Sequence, residues 1–121
     1  MSIIIKLKAG EVRLLSNPET LKYVEEYIER VRSETATSPP LALRVAEYLR
    51  KFSKIPLDRV SELRRKLEEM GLKEESVIMI VNICPKTVNE LIAILQVEER
   101  SFEQELLEKI ISILKEYCLE E

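Results

Sequence analysis

The run Val77-Ile78-Met79-Ile80-Val81, followed by Ile83 and closed by Pro85, constrains this chain more than any other segment. A helix from Glu74 to Cys84 carries apolar side chains on every face, so it belongs at the centre of a core with other elements packed around it. Proline at 85 removes a backbone donor and ends that helix.

Amphipathic segments on both sides supply the surround. Ser16-Asn17-Pro18-Glu19 opens a helix with a capping residue, an early proline and an acid in the first turn. Leu21, Val24, Ile28 and Val31 form its predicted inner stripe, widened by Tyr23 and Tyr27. Ser33–Ser38 reads as a polar loop, and Ser38-Pro39-Pro40 opens a second helix with Leu41, Val45, Leu49 and Phe52 as its buried line. Ile55-Pro56 marks a boundary, because a residue before proline is pushed out of the helical region. A third helix carries Val60, Leu63, Leu67 and Met70, with Gly71 where a C-terminal glycine is expected. Thr87-Val88-Asn89-Glu90 is a capping box for a short helix bearing Leu91, Ile94 and Leu95. Ser101-Phe102-Glu103-Gln104 reads as a second capping box, ahead of a last helix that turns Leu107, Ile110, Ile111, Leu114 and Tyr117 inward.

The other signal is β-branched. Ile3-Ile4-Ile5-Lys6-Leu7-Lys8 predicts a strand, paired in a short hairpin with Val12–Leu15. The predicted fold is therefore mainly α: an N-terminal strand or short hairpin followed by about six helices. An isolated hairpin is marginal in water, and no later segment reads as a strand that could extend it. Either the strand joins the sheet of another chain or it packs on its own helices; the first also removes an exposed apolar edge.

Inventory narrows the chemistry. A chain of 121 residues with 45% hydrophobic content is ordinary for one globular domain, or a core with an extension. Its apolar runs are far too short to span a bilayer, and the N-terminus does not read as a secretory signal, so a cytoplasmic protein is expected. Without histidine there is no Ser-His or Cys-His pair and no histidine metal ligand. Glycines at 10 and 71 cannot build a phosphate-cradling loop. Cys84 and Cys118 could pair or share a metal with carboxylates, but both lie on apolar helical faces; buried structural thiols in a reducing compartment are expected. The acid pairs Glu68-Glu69, Glu74-Glu75 and Glu98-Glu99 are expected to be solvated surface rather than acid–base groups of a carboxylate metal-dependent enzyme. A charged content of 34% with few amides leans towards a thermophile's surface ion pairs.

Charge is unevenly distributed. Residues 1–55 carry ten Lys/Arg against seven Asp/Glu, and residues 56–121 carry nine against fifteen, which argues against nucleic-acid binding by the second half as a whole. Basic residues nevertheless gather between 44 and 66, and Arg50, Lys51, Lys54, Arg64, Arg65 and Lys66 are the candidate nucleic-acid contacts. Only Tyr48 and Phe52 accompany them, which gives no evident stacking platform.

The stretch Ile83-Cys84-Pro85-Lys86-Thr87-Val88-Asn89-Glu90-Leu91-Ile92-Ala93-Ile94-Leu95 resembles the F-type subunit of archaeal DNA-directed RNA polymerase, the counterpart of the fourth-largest subunit of eukaryotic RNA polymerase II. The family often has proline and aspartate where this chain has Val88 and Asn89, and a basic residue where it has Ile92. The likeness covers the whole length. It implies residues 1–54 as a partner-binding strand and two helices, and residues 55–121 as a four-helix domain like the helicase-and-RNase-D C-terminal (HRDC) domain. It further implies a non-catalytic stalk subunit of a nucleotidyltransferase complex. Such a subunit forms a heterodimer with the E-type subunit of the RNA polymerase and through it joins the polymerase core, with weak contact to nascent RNA. Ile3, Ile4, Ile5, Leu7, Tyr23 and Tyr27 are the expected partner-binding residues, and no cofactor, metal, membrane or small-molecule substrate is expected. The alternative is a free-standing HRDC-like module that binds single-stranded nucleic acid through residues 44–66.

Overall fold

The computed structural model describes residues 3–8 and 11–119, with side chains described from Leu14 onward. Strand β1 (Ile3–Lys8) pairs antiparallel with β2 (Glu11–Leu15), with Ile3 opposite Leu15 and an irregularity between Lys6 and Lys8. Helices follow: α1 (Asn17–Thr35), α2 (Pro40–Phe52), α3 (Leu57–Glu69), α4 (Glu74–Ile83), α5 (Val88–Ile94) and α6 (Gln104–Tyr117), with a 3-10 turn at Leu95–Glu98. None of these helices is long and apolar enough to cross a membrane.

The mainly helical expectation holds, and α4 is the centre of the core. Val77, Ile78, Ile80 and Val81 are wholly buried. The core around α4 takes in Val60, Leu63 and Leu67 from α3, Leu91 and Ile94 from α5, and Leu107, Ile110 and Leu114 from α6. Each wall helix turns a 3-4 stripe inward, as an amphipathic helix must. Glycine at 71 has φ +88°, the left-handed conformation in which a side chain is strained, and its N–H closes the end of α3 on the Glu68 carbonyl. Thr87 caps α5 as expected, its Oγ1 accepting the Glu90 N–H at 3.2 Å.

Several expectations need correction. Helix α1 runs through Ser33 and Glu34 to Thr35 and ends on Ala36, which adopts the left-handed region and donates to the Arg32 carbonyl. Ser101 is not a helix cap: α6 starts at Gln104 after Glu103, so the second capping box does not form. In α2 the expected buried line fails. Leu49 and Ala46 are buried, but Leu41 is 74% exposed and Phe52 39%, while Val45 is also exposed. Helix α2 rests chiefly against α1, and this packing leaves Leu41, Val45 and Phe52 exposed.

The cysteines are not free thiols. Cys84 and Cys118 form a disulfide that joins the end of α4 to the end of α6 across 34 residues. Each lies just past its helix, and Pro85 and the last turn of α6 bring the two ends within bonding range. Adjacent to the bridge, the Leu119 N–H donates to the Lys54 carbonyl at 2.7 Å, tying the C-terminal segment to the α2–α3 connection.

Nor is Glu98 a solvated acid. Its side chain is buried and accepts hydrogen bonds from the Lys73 N–H at 2.7 Å and from the Ser76 hydroxyl, so it caps the start of α4 from outside. Burial pushes its carboxyl up, but those two bonds and the nearby Arg100 guanidinium outweigh it and hold the group below its ordinary value. A depressed carboxylate contributes stability above its unfolded value, and that contribution is lost as pH falls through the lower folded value. Glu98→Gln should therefore lower stability at neutral pH and flatten its decline on the acid side, read from urea unfolding at several pH values. An unchanged acid-side slope would remove Glu98 from this role. Ile80→Ala should cost about 2–5 kcal/mol, as a large-to-small change in a site with no exposure; a loss below about 1 kcal/mol in denaturant unfolding would contradict the central position of α4.

Candidate partner and nucleic-acid surfaces

The candidate basic residues separate into distinct environments. Arg64 faces inward and is 5% exposed. Its Nη1 donates to the Glu19 carboxylate at 2.8 Å and to the Leu14 carbonyl at 3.0 Å, and its Nη2 meets Glu74 at 3.2 Å. Glu19 also accepts the Ser16 N–H at 2.9 Å and the Ser16 hydroxyl at 2.7 Å. Beside this cluster the Asn17 N–H, one of the donors a helix start leaves unpaired, finds Asn82 of α4 at 2.7 Å. Arg64 is therefore not a nucleic-acid contact; it joins the β2–α1 junction to α3 and α4. Only burial distinguishes it from Arg65, and the one sequence signal for that burial is its place beside the Val60, Leu63 and Leu67 stripe of α3.

The remaining basic candidates are surface groups already partnered. Arg50 meets Glu25 at 3.1 Å across α1 and α2. Arg65 lies 4.0 Å from Glu69, and Lys66 lies 3.7 Å from Glu62. Lys66 also sits over the ring of buried Tyr117, as does Arg59, whose Nη1 donates to the Glu116 carbonyl at the end of α6. Hydrogen bonding to Tyr117 is the largest influence lowering the Glu62 carboxyl and raising the Lys66 ammonium. These groups bind α3 to α6 as well as facing water. Lys54 is half-buried at the α2–α3 connection and has a partner of its own.

Lys51 differs. It lies over the Phe52 ring at 5.6 Å, and Phe52 tilts against Tyr48 with ring centroids 4.7 Å apart. Both rings are exposed, Tyr48 at 51%. The result is an aromatic pair with a cation beside it, which the sequence conceals because helical period places Phe52 on the buried line.

Two of the expected partner residues meet at a groove. Tyr23 and Tyr27 from α1 face Leu41 and Val45 from α2 across a cavity of about 380 Å³ with Thr20 also in its lining. Buried Thr20 Oγ1 has no hydrogen-bond partner among the described residues. Tyr27, Leu41, Val45, Tyr48 and Phe52 together leave a broad apolar surface facing solvent. Contiguous exposed apolar surface is uncommon on monomeric soluble proteins. The side chains of Ile3, Ile4, Ile5 and Leu7 lie outside the described ones; their backbones form β1, which pairs with β2 on one edge.

Comparisons with known proteins identify a family. The profile of the family described as RNA polymerase Rpb4 matches residues 14–118. The DNA-directed RNA polymerase subunit Rpo4 of Sulfolobus acidocaldarius is 31% identical over 112 residues, covering 92% of this chain and 94% of that relative.

Removing the guanidinium of Arg64 strands the Glu19 carboxylate in a buried site. Arg64→Ala should cost about 3–5 kcal/mol in chemical unfolding, whereas exposed Arg65→Ala should stay within about 0.5 kcal/mol. Equal effects would show that the Arg64 cluster is not structural.

Proposed function

The chain belongs to the RNA polymerase Rpb4 family, and from that premise we propose that it is the non-catalytic stalk subunit of an archaeal DNA-directed RNA polymerase, paired with the E-type subunit. In this reading it supports transcription initiation and the guidance of emerging RNA from the cytoplasmic enzyme, and reaches the polymerase core through that partner. Residues 1–54 hold the partner, and residues 55–121 form an HRDC-like domain that is braced against them.

The exposed apolar face of α2, continuous with the α1–α2 groove, carries the proposal. A lone chain gains nothing from showing Leu41, Val45, Tyr48 and Phe52 to water, whereas an obligate interface is apolar at its centre and anchored by aromatic residues. Strand β1 supplies a second element of attachment, because an edge strand can add to a partner's sheet through main-chain hydrogen bonds. The free-standing nucleic-acid module remains the second reading, favoured by the Tyr48–Phe52 pair with Lys51 beside it.

One set of measurements separates the two. The double change Leu41→Asp and Val45→Asp should weaken association with the E-type partner by at least about 2 kcal/mol, roughly thirtyfold in Kd. Deleting residues 1–9 should weaken it too and leave the helical domain folded. Unaltered affinity in both variants would refute the assembly reading. Tight, salt-sensitive binding of single-stranded RNA by the free chain, abolished by Tyr48→Ala with Lys51→Ala, would establish the module instead.

A further inference from the structure

A second concavity lies away from the α1–α2 groove and shares no lining residue with it. It has a volume of about 460 Å³ and gathers at the ends of α4 and α6, around the Cys84–Cys118 bridge. Its apolar lining comes from Ile83, Pro85, Leu114 and Leu119. Ile83 is 49% exposed and Leu119 56%, although α4 is otherwise the most buried helix of the fold. Lys86 and Lys115 stand at its rim.

The described cations of the chain fall into two groups, and these lysines share the unpaired one with residues such as Lys22, Arg44 and Lys109. Arg50, Arg64, Arg65, Lys66 and Arg100 each lie within ion-pair distance of a carboxylate. Among the described residues, the ammonium groups of Lys86 and Lys115 have no such partner, in a half of the chain that is strongly acidic overall. Lys86 and Lys115, without a carboxylate partner among the described residues, stand with Lys54 in the lining of an apolar hollow, a charge pattern that complements a ligand of the opposite charge with an apolar anchor.

The hollow is also held in shape. The disulfide fixes Cys118 against the end of α4, and the Leu119 N–H bonded to the Lys54 carbonyl holds the adjoining wall. A preformed site loses less on binding than one that must order itself. Small-molecule sites orient their ligands with a few fixed polar groups inside the cavity. Here the charges sit on flexible lysine stems at the rim, an arrangement suited to a peptide that sets a side chain into the hollow and carboxylates beside it.

We propose that the pocket around the Cys84–Cys118 disulfide, rimmed by Lys86 and Lys115, docks an acidic peptide segment of a protein partner by its aromatic or branched aliphatic anchor. The site is independent of the α1–α2 pairing surface, so it can be tested apart from that reading.

The test uses the full chain and a fluorescein-labelled peptide in which phenylalanine and leucine alternate with aspartate. Anisotropy titrations should show saturable binding that weakens with salt, and amide chemical-shift changes should centre on Ile83, Lys86, Lys115 and Leu119. Lys86→Glu with Lys115→Glu should reduce affinity about tenfold or more. The charge-matched pair Lys22→Glu with Lys109→Glu, both exposed, should leave it within about twofold. Equal loss in both pairs, equal binding of an aspartate peptide without apolar residues, or shifts centred on the α1–α2 groove would each overturn the proposal. So would absence of binding at millimolar peptide.

Discussion

Among the described residues, Arg64 is the cation most fully engaged in the interior, and the geometry of the chain turns on it. Its guanidinium reaches Glu19 at the start of α1, the Leu14 carbonyl at the end of β2, and Glu74 at the start of α4. A planar fork holds its five donors in fixed directions, whereas a lysine offers three rotatable donors on a flexible stem. Burying such a group away from water is costly, and hydrophobic replacements of similar volume can be as stable. What the charge supplies here is direction. The hairpin and first two helices could slide over an apolar contact in many registers, but this network fixes one. Asn82, accepting the Asn17 N–H, adds a second fixed point on α4.

That orientation explains how the chain divides its surfaces. The α3–α6 part buries its apolar residues around α4 and meets water with paired charges. The α1–α2 part keeps an apolar face outward, where the chain's own core has no more area to cover it. Core burial and apolar exposure are thus concentrated on different helices. Membership of the RNA polymerase Rpb4 family fits that division, since a component of a larger assembly has a use for a face that a solitary domain would conceal.

The sequence is most legible where one physical demand acts alone. The all-round apolar run of α4, the proline that ends it, Gly71 at a left-handed position and Thr87 at a helix start each follow from local chemistry, and each is found. Legibility fails where the environment decides. The stripe Leu41, Val45, Leu49, Phe52 has helical period, but periodicity marks an apolar face without saying which molecule covers it. Arg64 and Glu98 look like surface charges because composition carries no burial, and only the fold brings Ser76 to Glu98 or Leu14 to Arg64. For the cysteines, apolar faces argue for thiols, while the spatial meeting of two helix ends 34 residues apart is not readable from spacing.

The disulfide also has a mechanical meaning. It closes a covalent ring through α5 and α6 that is anchored at the end of α4, so a pull on the C-terminal segment cannot peel α6 away turn by turn. Force entering at Leu119 passes through the sulfur bridge to the end of α4 and so into the middle of the core. Unzipping from an end is replaced by a demand to shear the central helix along its packed neighbours. The bridge therefore links the C-terminal segment covalently to the helix that meets Arg64 through Glu74 and the first helix through Asn82.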